Sequence, residues 1–199
     1  MKNRIYWLAI LMIAVSITLS GCGGKEQRLA KHLEKGKAFY QEADYDKAKL
    51  EFKNVLQIDP KNAEAYYLTG VIEESQRNWQ KAFGYYLKTV ELNPNHLEAK
   101  AKLGKFYLIS GDPANAEKTV NEILAKKPGD AAGRTVKAAM MASKKDEAGA
   151  IQELRQVIAT DASQLDAIAL LAALYAKQGN DAAALDVMDK GIPLLQMLG

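Results

Sequence analysis

The sequence predicts an all-α fold, a solenoid of about five stacked helix–turn–helix units. The first observation is an alanine that recurs with a fixed period of thirty-four positions, at Ala48, Ala82, Ala116, Ala150 and Ala184. The second is a small residue twelve positions before each alanine, at Gly36, Gly70, Gly104, Ala138 and Ala172. The third is a proline twelve positions after the first three alanines, at Pro60, Pro94 and Pro128. A fixed period of this size is typical of stacked repeats and not of a compact enzyme core.

The first unit, residues 29–62, shows why each repeat is interpreted as two helices. Apolar and small residues fall at helical spacing on both sides of a break at residues 42–44. The second helix ends just before Pro60, because the residue preceding a proline is disfavoured in the α region. Each unit is therefore expected to be a helix, a tight turn and a second helix.

Small residues set how closely the two helices of a unit pack. Antiparallel helices approach each other closely where both lack bulky side chains, so we expect Gly36 to face Ala48. Phe52 lies four positions after Ala48 and is expected to fill the space beside this contact.

The remaining units repeat the pattern in register, at residues 63–96, 97–130, 131–164 and 165–198. Turn residues separate the two helices of the third, fourth and fifth units, at Gly111-Asp112-Pro113, Lys144-Lys145-Asp146 and Gly179-Asn180. The fourth unit matches the pattern least well, since Ala138 stands in place of glycine and Ala162 in place of proline.

These positions resemble the tetratricopeptide repeat (TPR), and the resemblance covers residues 29 to about 190. It implies a right-handed superhelix in which the first helix of each unit lines the concave side. One departure is Glu73, where the other units carry Phe39, Tyr107, Met141 and Tyr175. Another is a polar residue where the family often has tryptophan or leucine, at His32, Lys100 and Arg134. Both are expected to reduce packing in single units without shifting the register.

The resemblance also implies a partner-binding groove on the concave side. By register, its residues are Lys37, Tyr40, Gln41, Tyr67, Val71, Lys105, Leu108, Thr135 and Ala139. Further inward places hold Glu74, Ala101, Ala142, Ala169 and Ala173. Tyr40 and Tyr67 are either anchors for a partner or packing residues between helices. The chaperone-type clamp for a terminal carboxylate is not expected, because its places hold Leu33, Lys37, Leu68, Glu98 and Lys102.

Residues 1–21 have the composition of a secretory signal peptide. A basic start, residues 1–4, precedes a mostly apolar run of about 15 residues, which is shorter than the ~20 residues that cross a bilayer. Leu19-Ser20-Gly21-Cys22 resembles a bacterial lipobox, which implies cleavage before Cys22 and acylation of Cys22, for example with palmitate. By resemblance, Gly23 after the cysteine favours the outer membrane, with the protein facing the periplasm. Residues 22–28 are expected to be a lipidated tether, in which residues 23–28 would reach roughly 20 Å if extended.

Charge and reactive residues argue against several other functions. Removing Lys2 and Arg4 with the signal leaves 25 basic residues against 24 acidic ones, a net charge of about +1. This gives no strong field for nucleic acid or anionic lipid. His32 and His96 have no second histidine or cysteine at ligand spacing, and an acylated Cys22 leaves no free thiol. We therefore expect no enzyme activity, no cofactor, no metal and no nucleic-acid partner.

The C-terminus breaks the pattern. Gly191 and Pro193 are expected to interrupt the last helix, and an apolar tail follows at Leu194, Leu195, Met197 and Leu198. Either this tail folds back as a cap, or the natural protein continues beyond Gly199, which we prefer. A homodimer through the tail is a further expectation.

The sequence therefore indicates a membrane-anchored TPR scaffold that mediates protein–protein interactions in assembly of a cell-envelope export, polysaccharide or pilus system. It resembles the TPR lipoproteins of type IV pilus assembly and those that accompany exosortase and exopolysaccharide systems. Two alternatives remain: the N-terminal adaptor part of a larger envelope enzyme, and a recruiter of peptidoglycan hydrolases.

Overall fold

The computed structural model describes residues 24–197, with the surroundings of side chains described for residues 24–191. In this part of the chain all regular secondary structure is α-helical. The helices are α1 (24–41), α2 (Tyr45–Ile58), α3 (Ala63–Ser75), α4 (Trp79–Leu92), α5 (Leu97–Ile109), α6 (Pro113–Lys126), α7 (Ala131–Ser143), α8 (Glu147–Thr160), α9 (Leu165–Lys177) and α10 (Asp181–Met197). The predicted all-α repeat fold is confirmed.

The spacing of the helices follows the repeat in the sequence. The second helices of the five units begin at the same place in each repeat, at Tyr45, Trp79, Pro113, Glu147 and Asp181. The recurring alanine is buried in every unit, at Ala48, Ala82, Ala116, Ala150 and Ala184. The buried apolar side chains form a succession of clusters along the chain, each built from neighbouring helices. The molecule is thus held together by contacts between adjacent helices, as in other stacked repeats.

One backbone position closes the turn in all five units. The residue two places before each second helix has a positive φ, between 57° and 78°, at Ala43, Arg77, Gly111, Lys145 and Gly179. Except at Asn78 in the second unit, which makes no side-chain cap hydrogen bond, the next residue caps the second helix with its side chain. Asp44, Asp112 and Asp146, for example, each accept a hydrogen bond from the backbone N–H three positions later. The left-handed residue reverses the chain, and the cap satisfies a helix N–H group that has no partner within the helix.

Glycine on the first helix makes room for an aromatic ring on the second. A Cβ atom added to Gly36 would lie 2.5 Å from Cε1 of Phe52, and one added to Gly70 would lie 2.8 Å from Cε1 of Tyr86. The predicted place of Phe52 beside Gly36 is therefore confirmed. In the third unit the nearest neighbour of Gly104 is instead Val136, a side chain of the following unit.

The start of α1 differs from the prediction. The predicted array begins at residue 29, whereas residues 24–28 are already helical. Nε of Arg28 donates a hydrogen bond to the Gly24 carbonyl at 3.1 Å, and residues 25–28 are good helix formers. Residues 24–28, which belong to the predicted tether, are therefore helical and not extended. The signal peptide (1–21) and the acylated Cys22 lie outside the described residues.

The last helix also differs from the prediction. The backbone of α10 is helical from Asp181 to Met197 and runs through Gly191 and Pro193, so the predicted interruption is wrong. Gly191 is buried, and a Cβ atom there would lie 3.0 Å from Cδ1 of Ile168 on α9. Packing of α10 on α9 thus offsets the propensity cost of about 1 kcal/mol for glycine and about 3 kcal/mol for proline. The apolar side chains of the tail lie outside the described ones, so the homodimer stays a prediction.

None of the helices within residues 24–197 combines the length and apolar content that a membrane span requires.

Candidate protein-binding groove

The first helices of the third, fourth and fifth units lie side by side, because α5 contacts α7 and α7 contacts α9. Together with Tyr67 of α3 they line a cavity of about 660 Å³. We call this cavity the concave groove. Its lining residues are Tyr67, Glu98, Ala101, Lys102, Lys105, Leu108, Ile109, Ala132, Thr135, Val136, Ala139, Ser163, Gln164, Leu165, Asp166, Ala169 and Leu170.

The groove brings together part of the predicted site. Five of the nine predicted residues line it, namely Tyr67, Lys105, Leu108, Thr135 and Ala139. The predicted inward places Ala101 and Ala169 line it as well. Lys37, Tyr40, Gln41 and Val71 are not among its lining residues. The register thus predicted the middle of the groove, while partner binding by these residues stays a prediction.

The floor of the groove is made of small side chains. Ala101 is buried, and Ala132 and Ala139 of α7 are partly exposed between it and α9. Thr135 is the polar residue among them, and its Oγ1 donates a hydrogen bond to the Ala131 carbonyl at 2.8 Å. Because that hydroxyl is used inside its own helix, the floor offers mainly apolar surface close to the backbone.

Larger apolar side chains stand at the edge of this floor. Ile109, the last residue of α5, is 76% exposed. The register prediction missed Ile109, although the sequence carries a signal for it. The same place holds polar residues in the other four units, at Gln41, Ser75, Ser143 and Lys177. An exposed isoleucine at an otherwise polar place is the strongest indication of a contact surface in the groove.

The charged groups that line the groove are mostly paired. Nζ of Lys105 on α5 lies 3.0 Å from Oδ1 of Asp166 on α9, so this ion pair bridges from α5 to α9 past α7. Nζ of Lys102 lies 3.2 Å from Oε2 of Glu74. These pairs leave little net charge in the groove, which therefore favours a partner bound through apolar contacts. In residues 24–197 no three acidic, histidine or cysteine side chains gather into a set that could hold a metal ion.

Tyr67 packs between helices and also reaches the groove. Its ring centroid lies 4.4 Å from that of His96 and 5.9 Å from that of Tyr86. Burial raises the pKa of Tyr67 to about 12, with a smaller contribution from the carboxylate of Glu98. The hydroxyl of Tyr86 donates to Oε2 of Glu74 at 2.5 Å, and burial together with this hydrogen bond raises the pKa of Tyr86 well above its usual value. Tyr67 thus packs between helices and lines the groove, and its role as an anchor for a partner stays a prediction.

The other predicted residues of the first two units belong to separate surroundings. Tyr40 is half-buried, and its ring lies 6.0 Å from that of Tyr45. Val71 packs in the apolar cluster around Tyr86. Lys37 pairs with Glu64 at 3.1 Å on an exposed surface. Tyr40 thus packs between helices, and its role as an anchor for a partner stays a prediction.

The three polar residues that stand where the family often has tryptophan or leucine are paired inside their units. His32 Nδ1 lies 2.5 Å from Oε2 of Glu51, and Lys100 binds the carboxylate of Glu122. Arg134 Nε donates to Oε1 of Glu153 at 2.8 Å, and this bond holds the pKa of Glu153 below its usual value. These ion pairs link the two helices of each unit where an apolar contact was expected. Two of these ion pairs could have been predicted from the sequence. Glu51 and Glu153 each follow their partner, His32 or Arg134, by nineteen positions.

Glu73, the other departure from the family pattern, has a partner in its own unit and one in the preceding unit. Its side chain is buried, and its carboxylate accepts a hydrogen bond from Nδ2 of Asn78 at 2.8 Å and lies 3.5 Å from Nζ of Lys49. The charge that replaces an aromatic residue in this unit therefore has partners from both neighbouring helices.

Two family profiles, both described as tetratricopeptide repeat, match residues 33–96 and 74–140, and together they span 33–140. A TPR repeat-containing protein of Methanocaldococcus jannaschii is 38% identical over 69 residues, or 34% of this chain. The chain spans 12% of the length of that relative.

Solved structures of similar shape are TPR proteins at low sequence identity. A thermophilic TPR protein of Thermus thermophilus is 19% identical, with a TM-score of 0.69 over 83% of this chain and 91% of that one. PilW, described as a widely conserved type IV pilus biogenesis factor, is 19% identical, with a TM-score of 0.66 over 84% and 78%. YrrB, described as a TPR protein with an unusual peptide-binding site, is 19% identical, with a TM-score of 0.54 over 84% and 87%. At these identities the likeness concerns the fold.

Proposed function

Because the chain belongs to the tetratricopeptide repeat family of protein-interaction scaffolds, we propose that its concave groove binds an apolar segment of a partner protein. The observation that carries this proposal is the cavity of about 660 Å³ with Ile109 exposed at its edge. A cavity of this size is in the range of about 300–1,000 Å³ that is common for binding clefts. Its small floor residues allow a helix or an extended segment to lie close to the backbone of α7.

The charges of the groove favour the same kind of partner. Since Lys105 is paired with Asp166 and Lys102 with Glu74, a charged segment would have to displace an existing pair. An apolar segment leaves both pairs in place and gains free energy from surface removed from water, about 25 cal/mol per Å².

We also propose where this scaffold is located and which kind of assembly it serves. The chain is anchored through acylated Cys22 at the outer membrane, faces the periplasm, and takes part in assembly of an envelope export, polysaccharide or pilus system. The lipobox-like sequence that ends at Cys22 supports this. The likeness of fold to PilW supports the pilus branch of the proposal. Because α1 is helical from residue 24 in the described part, an anchored scaffold would stand directly at the membrane face.

The groove is tested by Ile109→Asp, compared with Leu50→Asp as a matched control. Both side chains are exposed, Ile109 to 76% and Leu50 to 57%, so neither change removes a buried contact. Leu50 lies on α2, outside the groove. Partners captured from solubilised envelope are quantified by mass spectrometry with the parent chain and both variants. We expect Ile109→Asp to lower recovery of the specific partners by about tenfold, which corresponds to roughly 1.4 kcal/mol.

Equal recovery with all three chains would contradict the groove as the binding site. Substitution of Tyr67 or Val71 is a weaker test, because both side chains pack between helices and their loss would also destabilise the fold.

The anchor is tested by labelling cells with an alkyne analogue of palmitate. The parent chain is expected to take up the label, and Cys22→Ala is expected to lose it, since no other cysteine is present. Ser16→Ala, a change of similar size within the apolar run, serves as the control that keeps the label. Absence of label from the parent, or its persistence in Cys22→Ala, would rule out acylation at this residue.

A further inference from the structure

A second cavity lies between α8, α9 and α10, with a volume of about 370 Å³. Its apolar wall includes Ile158 of α8, Ile168 and Leu171 of α9, and Val187 of α10. We call it the α8–α10 cleft. Helix α9 separates it from the concave groove, because Leu165 and Ala169 line the groove while Ile168 and Leu171 line the cleft. The two cavities therefore open on different sides of the same helix.

The register explains why the cleft forms in the last unit. At the repeat position of Ile168, three other units carry a polar residue that forms an ion pair with a glutamate. These residues are His32, Lys100 and Arg134. In the second unit this place holds Tyr66, whose ring lies 6.3 Å from that of Tyr85. In the fifth unit both this place and the one nineteen positions later, Val187, are aliphatic. Here the surface is thus apolar where the other units have an ion pair or an aromatic pair.

Arg155 places a positive charge beside this apolar wall. Its Nε donates a hydrogen bond to the hydroxyl of Tyr175 at 2.7 Å, and its guanidinium carbon lies 5.7 Å from the centre of that ring. Among the described residues, no carboxylate lies within ion-pair distance of Arg155. The contrast is Arg134, which binds both Glu153 and Gln156 at 2.8 Å.

The two other charged residues that line the cleft form an ion pair with each other. Nζ of Lys190 lies 2.6 Å from Oδ2 of Asp186, and both residues line the cleft on α10. Among the residues whose side chains the structure describes, 24–191, this leaves the guanidinium of Arg155 as the uncompensated charge of the cleft, hydrogen-bonded to Tyr175 through Nε. A planar guanidinium with free donors is well suited to a carboxylate.

We propose that the α8–α10 cleft is a second docking site, for a protein segment that carries an aliphatic side chain and a carboxylate within one helical turn of each other. The aliphatic side chain enters the apolar cleft, and the carboxylate pairs with Arg155. The apolar wall and the positive charge of Arg155, which has no carboxylate partner within the described part of the chain, complement such a segment on both counts. Because α9 lies between the cleft and the groove, two partners bind at once, and the scaffold bridges them.

The test is a selection of displayed dodecamer peptides on the full chain, followed by measurement of Kd for each selected peptide. Two variants disable the cleft: Arg155→Glu reverses its charge, and Ala159→Trp fills it. Arg155 and Ala159 are both exposed, so the fold is expected to be retained, and circular dichroism checks this. We expect a class of peptides with an aliphatic residue and a nearby Asp or Glu, whose Kd rises at least tenfold in both variants.

Matched controls separate the cleft from other surfaces. Lys81→Glu makes the same kind of charge reversal on an exposed place of α4, and Ala125→Trp makes the same enlargement at the equivalent place of the third unit. Ile109→Asp disables the concave groove. The cleft-dependent peptides are expected to keep their Kd within twofold in all three controls. The proposal is overturned if no peptide depends on Arg155, or if the dependent peptides weaken equally with Ile109→Asp. That second result would assign them to the groove and leave the proposed function intact.

Discussion

The residue that closes each turn has a left-handed backbone in every unit, whether or not it is glycine. Gly111 and Gly179 adopt this conformation without strain, whereas Ala43, Arg77 and Lys145 carry a Cβ atom in a region that costs roughly 1–2 kcal/mol. From the sequence, the two glycines indicate the turn. The other three places follow once the register of the repeat is applied, because alanine, arginine and lysine have no preference of their own for this conformation.

We expect Gly111→Ala to lower the free energy of unfolding by about 1 kcal/mol. No atom lies within 4 Å of the added Cβ, so the positive φ of 78° is the cause and a steric clash is not. Urea denaturation of the full chain measures the change. Gly129→Ala is the control, since it also has open space around the Cβ but no positive φ. An equal effect of both substitutions would argue against strain at the turn.

Some residues of the concave groove could be predicted from the sequence, and some of its contacts could not. The TPR resemblance, applied by register, gave Leu108, Thr135 and Ala139 as inward residues, and all three line the groove. The pair of Lys105 with Asp166 could not be predicted, since it joins residues 61 positions apart and depends on how three units stack. The α8–α10 cleft depends in the same way on side chains from three helices.

The spacing of apolar residues predicts where the helices lie, but it predicts less well where each helix ends. The proline after each of the first three units marks the end of the second helix, and α2 ends at Ile58, two positions before Pro60. The same reasoning fails at Pro193, because burial of Gly191 against Ile168 keeps α10 helical past it. Local propensity thus predicts an element's end where no strong tertiary contact opposes it.

A glycine-to-alanine substitution is expected to lower the stability of the protein in α1 and to raise it in α4. In α1, Gly36→Ala places a Cβ 2.5 Å from the buried ring of Phe52, and overpacking is expected to cost about 1–3 kcal/mol. In α4, Gly84→Ala meets no atom within 4 Å, and the better helix propensity of alanine is expected to add about 1 kcal/mol of stability.

Urea midpoints of the two variants, compared with the parent chain, measure this difference. The double variant Gly36→Ala, Phe52→Leu is expected to recover part of the loss, because it removes the ring that the new methyl group meets. A stabilising effect of Gly36→Ala would mean that the close packing of α1 on α2 is not what requires glycine.

Across the whole molecule, the two ends of the stack differ. Lys31 and Lys35 of α1 are exposed at the places where α3 buries Ala65 and Thr69, so the N-terminal end has a polar face. At the other end, Met188 of α10 is 50% exposed at the place where α8 buries Leu154. Terminal repeats are commonly polar on their outer side, and α1 fits this description while the described part of α10 does not.

The surfaces of this stack divide into two kinds. Within the described residues, the concave groove is apolar with its charges paired, and the α8–α10 cleft is apolar with a guanidinium, that of Arg155, that has no carboxylate partner. Stacked units keep such surfaces at fixed separations, because each unit is held by its neighbours. The molecule is therefore suited to hold segments of other proteins in a defined arrangement.

Photo-cross-linking in intact cells tests most directly whether the concave groove binds a partner. The photoreactive residue p-benzoylphenylalanine replaces Ile109 in one chain and Leu50 in another, and cross-linked products are detected by immunoblot and identified by mass spectrometry. We predict a discrete protein product from position 109 and none from position 50, since Ile109 lines the groove and Leu50 does not. The same product from both positions, or a product from position 50 alone, would contradict binding in the concave groove.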